Sequence, residues 1–214
     1  MISYRLLKDH AGILLLGDYW SLRKLHEIIH DVNNRSPLIQ DQEGWFINLA
    51  YDVRKAYEGE REVIEQSKDF GDVGGLYGVK ILWPVLLVQQ RILRASLAYI
   101  DHSKHHQAVT YALEAVIEEA IAEDFGSQSA AIQERWLRLD PASRGLEDKL
   151  NSRGAIFCSW KKTQRKNEFS YLLDSFDPMY STILRSRIQN GEASLLTQEV
   201  FDEWGKVEWP DPNW

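Results

Sequence analysis

His26-Glu27-Ile28-Ile29-His30 has the H-E-x-x-H form, which on a helix places two imidazoles one turn apart on one face. Such a pair can chelate Zn²⁺ while the intervening Glu polarises a metal-bound water. One reading is therefore a zinc-dependent hydrolase with His26 and His30 as metal ligands and Glu27 as the catalytic base. The neighbourhood speaks for a plainer one. Arg23 and Lys24 precede the motif and Asp31 follows it, marking a wet face. At about 100° per residue the apolar arc of this helix centres between Leu25 and Ile29, which leaves His26 about 100° and His30 about 140° from its middle. The pair is expected on a helix flank toward solvent, bonded locally. After His30 come Asp31-Val32-Asn33, so no third ligand follows in sequence. Glu58, Glu60, Glu62, His102, His105, His106, Glu118 or Glu119 would reach the pair only through tertiary contact. We expect no cofactor, and substoichiometric zinc.

Other chemistry-bearing residues give weaker signals. His102, His105 and His106 stand at a helix start, where cationic imidazole opposes the helix dipole, so they read as solvated turn residues. Cys158 sits within Ala155-Ile-Phe-Cys-Ser-Trp160, an apolar setting that predicts an inert buried thiol. Glu27 to His30 is the only E-x-x-H, whereas a carboxylate-bridged di-metal bundle needs two. The glycines between Gly71 and Gly78 match no phosphate-binding loop.

The net charge of -7 is uneven: residues 1–126 carry -6, 127–166 carry +5 and 167–214 carry -6. The basic island holds Arg135, Arg138, Arg144, Lys149, Arg153, Lys161, Lys162, Arg165 and Lys166. Anion or nucleic-acid binding through residues 135–166 is a further reading. A nucleic-acid binder normally shows a basic domain overall, so docking of this segment on the acidic remainder of the chain is preferred.

These residues need elements to hold them. Ile2-Ser-Tyr-Arg-Leu6 alternates and Ile13 to Leu16 is aliphatic, with turn chemistry between, which predicts a β-hairpin. Tyr77 to Trp83 is a candidate third strand after a glycine-rich loop at 66–78. Asp18 or Ser21 caps a helix running to about Asn34, and Phe46 to Tyr57 forms a second, closed by Gly59. Pro84 to Ile100 is apolar on nearly all sides and belongs at the centre, antiparallel to a helix over 104–124. Helical patterns recur at about 128–138, 154–174 and 178–189, where Asp177-Pro178 supplies N-cap and N1, and a last short helix follows Thr197 and stops at Gly205. The tail from Val207 to Trp214 contains Pro210 and Pro212 and reads as an extended arm packed on the body.

The expected fold is α+β and predominantly α-helical, an N-terminal hairpin or small three-stranded sheet packed on a helical body. One compact domain over 1–214 is expected, with a subdomain boundary near 126 as the alternative. The composition, 44% hydrophobic with eight Trp, nine Tyr and seven Phe, excludes a disordered chain and predicts an aromatic core. No export leader or 20-residue apolar run is found, and a lone cysteine fits a reducing compartment, so a cytoplasmic protein without membrane segments is expected.

Three stretches, Gly17-Asp-Tyr-Trp-Ser-Leu-Arg-Lys-Leu-His-Glu-Ile-Ile-His30, Ile81-Leu-Trp-Pro-Val-Leu-Leu-Val-Gln-Gln-Arg91 and Leu146-Glu-Asp-Lys-Leu-Asn-Ser-Arg-Gly154, resemble a bacterial family catalogued only as a domain of unknown function. The resemblance spans the whole chain. It implies a bacterial cytosolic protein and brings no activity, ligand or catalytic residue. From the residues alone, the expectation is a non-catalytic binding or interaction protein, a homo-oligomer or the binder of a protein partner.

Overall fold

In the computed structural model the alternating N-terminal segment forms β1 (Ile2–Leu6), paired antiparallel with β2 (Gly12–Gly17) in the register Tyr4 to Leu15. The structure describes residues 1–64, 75–143, 145–191, 196–212 and 214. After β2 come α1 (Tyr19–Arg35), α2 (Trp45–Tyr57), β3 (Glu62–Ile64) and β4 (Leu76–Leu82). β4 lies on the other side of β2, with Leu15 opposite Val79 and Ile13 opposite Ile81. The short β3 closes the far edge, giving the order β1-β2-β4-β3, antiparallel throughout. The third strand expected at 77–83 is β4, and β3 adds a fourth that the sequence reading lacked. The loop expected at 66–78 ends sooner, because the chain is already in β4 at Leu76; its residues up to 74 lie outside the described ones.

The turn between β1 and β2 is tight. Asp9 and His10 both take left-handed conformations, φ 56° and 54°, costly for residues with a Cβ. Gly12 follows at φ 156°, where any Cβ would collide with the Ile81 carbonyl. Ile13, Leu15, Val79 and Ile81 face the helices and are buried.

α3 (Trp83–Ser96) continues directly from β4, and α4 (Lys104–Phe125) folds back against it. As expected of a central helix, α3 buries residues on nearly every side, including Gln89 and Gln90. Next come α5 (Ser129–Arg138), α6 (Leu146–Ser159), α7 (Lys162–Asp174), α8 (Tyr180–Gln189) and α9 (Gln198–Trp204). The pattern over 154–174 is thus two helices, broken where Trp160 takes an extended conformation. Asp177 does not cap α8: its carboxylate accepts the Met179 N–H at 2.7 Å, one turn ahead of the helix. The fold is α+β and mostly helical. Among the described residues no helix is long and apolar enough to cross a membrane.

Two devices set the position of the α1–α2 pair. Asp18 caps α1, accepting the Ser21 N–H at 2.9 Å and binding the Met1 amine. Burial pushes its carboxyl up, but these bonds outweigh it and hold the pKa at about 2. α2 is capped from afar. Gly44 stands at its N-cap with no side chain to offer, and Glu147 of α6 accepts the Phe46 N–H at 2.9 Å instead. A Cβ on Gly44 would sit 2.8 Å from that carboxylate, so the glycine makes room for it. Burial raises the Glu147 pKa, the Phe46 bond opposes this, and Asp41 and Asp148 add to the rise.

Candidate functional site

α1 buries Leu22, Leu25, Ile28, Ile29 and Val32 against the core, which turns the H-E-x-x-H segment to the flank facing α2. His26 and His30 are half-buried there rather than in open solvent. Their rings meet edge to face, 4.7 Å between centroids at 72°. Around them stand Tyr57, whose hydroxyl is 3.4 Å from His26 Nδ1, and Tyr51, whose ring is 6.0 Å from His30. Burial lowers the His26 pKa, and the nearby His30 and Arg54 act in the same direction, so the neutral imidazole is favoured. Its Nε2 is buried with no hydrogen-bond partner among the described residues. Glu27 is held by Lys24 and Arg23 at 3.2 Å each, which lowers its pKa. Among the described residues no three His, Cys, Asp or Glu side chains are grouped to hold a metal ion. What the fold brings to His26 and His30 is phenol rings and arginine.

The ledge extends past the motif. Tyr19 packs edge to face on Tyr57 at 5.3 Å and on Trp20 at 5.1 Å. Arg23 lies over the Trp20 ring at 5.8 Å, and Arg54 over Tyr51 at 5.7 Å. Trp20 is 72% exposed. The sequence reading passed over these residues, although a signal was present: Tyr19 and Trp20 fall outside the apolar stripe of α1, so the core does not account for them.

Three of the four other histidines are tied into the fold. His106 completes the capping box of α4 with Ser103 and reaches Asp31 at 3.2 Å, while His102 Nε2 accepts from the Gln107 amide nitrogen at 2.8 Å. His102 and His106 are thus half-buried, whereas His105 is exposed, as the helix-start position implies. His10, which the sequence did not single out, is more deeply engaged. Its Nδ1 lies 2.8 Å from Asp124 Oδ1, while Trp83 Nε1 donates to Asp124 Oδ2 at 2.8 Å. His10 also stacks on Phe125.

Burial pushes the Cys158 thiol up to about 11, too high for a thiolate nucleophile near neutrality. An alkylating reagent at pH 8 is expected to leave Cys158 of the native chain intact while modifying the urea-unfolded chain fully, as read by intact mass. Stoichiometric modification of the native chain would show an open site instead.

Much of the basic island is consumed internally. Arg135 pairs with Asp174 at 3.0 Å, and Lys149 donates to the Phe176 carbonyl at 2.9 Å. Arg153 donates to Ser152, Ser175 Oγ and the Ser175 carbonyl and stacks on Phe201 at 3.6 Å; burial lowers its pKa to about 10. Arg165 is 1% exposed and donates to backbone carbonyls. Lys161, Lys162 and Lys166 remain exposed, and Arg144 lies outside the described residues. The preferred docking on acidic segments describes Arg135, whereas Arg153 and Arg165 find carbonyls, hydroxyls and rings.

One family model, described as "Domain of unknown function (DUF6904)", matches residues 2–211. No curated protein and no solved structure matches the chain.

Proposed function

The chain belongs to the DUF6904 family, a domain of unknown function, and we propose from its surface that it is a non-catalytic, cytosolic interaction protein that associates with a second copy of itself through the α1–α2 ledge. The observation that carries this is Trp20, 72% exposed between Tyr19 and Arg23. Trp, Tyr and Arg dominate the energetics of protein interfaces because they bury large area at low entropic cost. A tryptophan held in water by an ordered aromatic neighbourhood is an anchor without its pocket.

Charge supports a second copy as the occupant. Two chains of net charge -7 repel, and α4 presents exposed Glu118, Glu119 and Glu123 outward. On the ledge the charges nearly cancel, three cations against two carboxylates: Glu27 holds Arg23 and Lys24, and Glu58 lies 3.7 Å from Arg54. Two ledges related by a twofold axis thus approach with little repulsion, and twofold dimers are the commonest assembly. The buried Cys158 suits the reducing cytosol.

Sedimentation equilibrium tests it. The wild type is expected to associate to twice its 24.8 kDa, and Trp20→Ser to weaken that association about thirtyfold, the effect of a typical interface anchor. The melting temperature of the dissociated chain should stay unchanged, since Trp20 packs little within its own chain. A wild type that remains monomeric at about 10⁻⁴ M would refute the proposal.

A further inference from the structure

The C-terminal arm after Gly205 occupies a groove built for it. Trp209 lies on Gly154 in the middle of α6, so close that any Cβ there would overlap the indole. A mid-helix glycine costs about 1 kcal/mol against alanine, and here it makes room for this ring. Trp209 also stacks on Trp45 at 4.8 Å and 19°, and Trp45 is fixed in turn by donating Nε1–H to Asn151 Oδ1 at 3.1 Å. Three residues on, the Pro212 carbonyl accepts from Arg165 Nη2 at 2.6 Å. Arg165, almost wholly buried, has no carboxylate partner among the described residues; its remaining bonds go to the carbonyls of Phe157, Cys158 and Asp9. The groove therefore combines a slot for one indole with a buried cation that needs a peptide carbonyl at a fixed distance from it.

We propose that this groove is a recognition site for an extended Trp-Pro-Asp-Pro segment, and that the arm of a second copy of the chain occupies it in exchange with the chain's own. Pro210 and Pro212 hold the segment extended before it binds, which lowers the ordering cost. Lys206, Val207 and Glu208, which join the arm to α9, are exposed. An arm reaching the groove from another molecule makes the same contacts, so exchange changes only the connection. The chain's own arm has the advantage of high effective concentration, and exchange emerges when that arm is weakened or the chain is concentrated. The surface is distinct from the Trp20 ledge, and the test below reads out whichever way the Trp20→Ser result falls.

The test uses the full chain carrying Trp209→Ala, whose groove is open, and a synthetic peptide of residues 206–214. The peptide is expected to raise the melting temperature of this variant, and to bind it about tenfold more tightly than it binds the wild type, whose groove is filled. A peptide with alanine at position 209 should bind at least about tenfold more weakly, as expected on losing an aromatic anchor. Mixing Trp209→Ala with Gly154→Leu, which has an intact arm and a blocked groove, should give a one-to-one complex of two chains by light scattering when both chains also carry Trp20→Ser, so that the ledge does not associate them. Failure of the peptide to stabilise Trp209→Ala, equal stabilisation by the alanine peptide, or a mixture that remains two separate species overturns the proposal. Should Gly154→Leu not fold, the peptide measurements decide alone.

Discussion

Arg165→Met is expected to lower the unfolding free energy by about 2–6 kcal/mol, the sum for two buried carbonyls left without their charged donor. Methionine fills the stem of the arginine but offers no donor. The carbonyls of Cys158 and Pro212 would then be buried without their guanidinium bonds, each at a cost of about 1–3 kcal/mol, while Phe157 keeps the Trp160 N–H as a donor. The cation itself is tolerated because it sits beyond the C-terminal end of α6, where the helix dipole is negative. Arg165→Lys preserves the charge but not the planar fork that serves several carbonyls at once, so it should restore no more than about half of the loss. Denaturation in urea, with the slope unchanged, measures both variants. A loss below about 1 kcal/mol for Arg165→Met, as for a typical surface substitution, would show that the guanidinium is not a structural tie between hairpin turn, α6 and arm.

What the sequence makes legible and what it hides follow a physical line. Asp18 caps α1 because cap chemistry is local, and the apolar stripe that starts at Leu22 follows from the helical period. The same holds for α3, where Pro84 lies in the first turn and nearly every face is apolar, and for α4 behind Ser103. Where local signals fail, tertiary contacts decide. The break between α6 and α7 has neither Gly nor Pro, and it falls where Arg165 can reach back to the last carbonyls of α6. β3 is three residues long and gains its place only by pairing with β4. The orientation of His26 and His30 was legible as a flank, but whether that flank meets water or α2 depends on where α2 lies. That in turn depends on Glu147, far along the chain, capping Phe46. Gly154 shows no sequence reason for being a glycine until Trp209 is seen lying on it.

The second large effect is expected at Asp124, whose carboxylate is held by His10 from the hairpin turn and by Trp83 from the start of α3. Its side chain is 6% exposed and that of His10 12%. Asp124→Ala leaves the Trp83 indole N–H and the His10 ring nitrogen buried without their acceptor, and two such losses of about 1–3 kcal/mol each predict a total of about 3–4 kcal/mol. The turn raises the stakes, because Asp9 and His10 are held at positive φ, and residues in that region persist only where surrounding contacts over-determine them. With Asp124 gone, the turn loses the bond that anchors His10 to α4, and its strain should relax by releasing the end of β1. His10→Ala alone should cost less, since Trp83 still bonds the carboxylate. The two substitutions share one contact, so the double variant should be less destabilised than the sum by about 1–2 kcal/mol, the coupling of a partly buried pair in one network. Urea denaturation of the four chains gives this coupling, and hydrogen exchange at the Leu7 amide, which donates to the Gly12 carbonyl across the turn, reports the local release. Strict additivity, with Leu7 exchange unchanged in Asp124→Ala, would mean that the His10–Asp124 contact does not hold the turn.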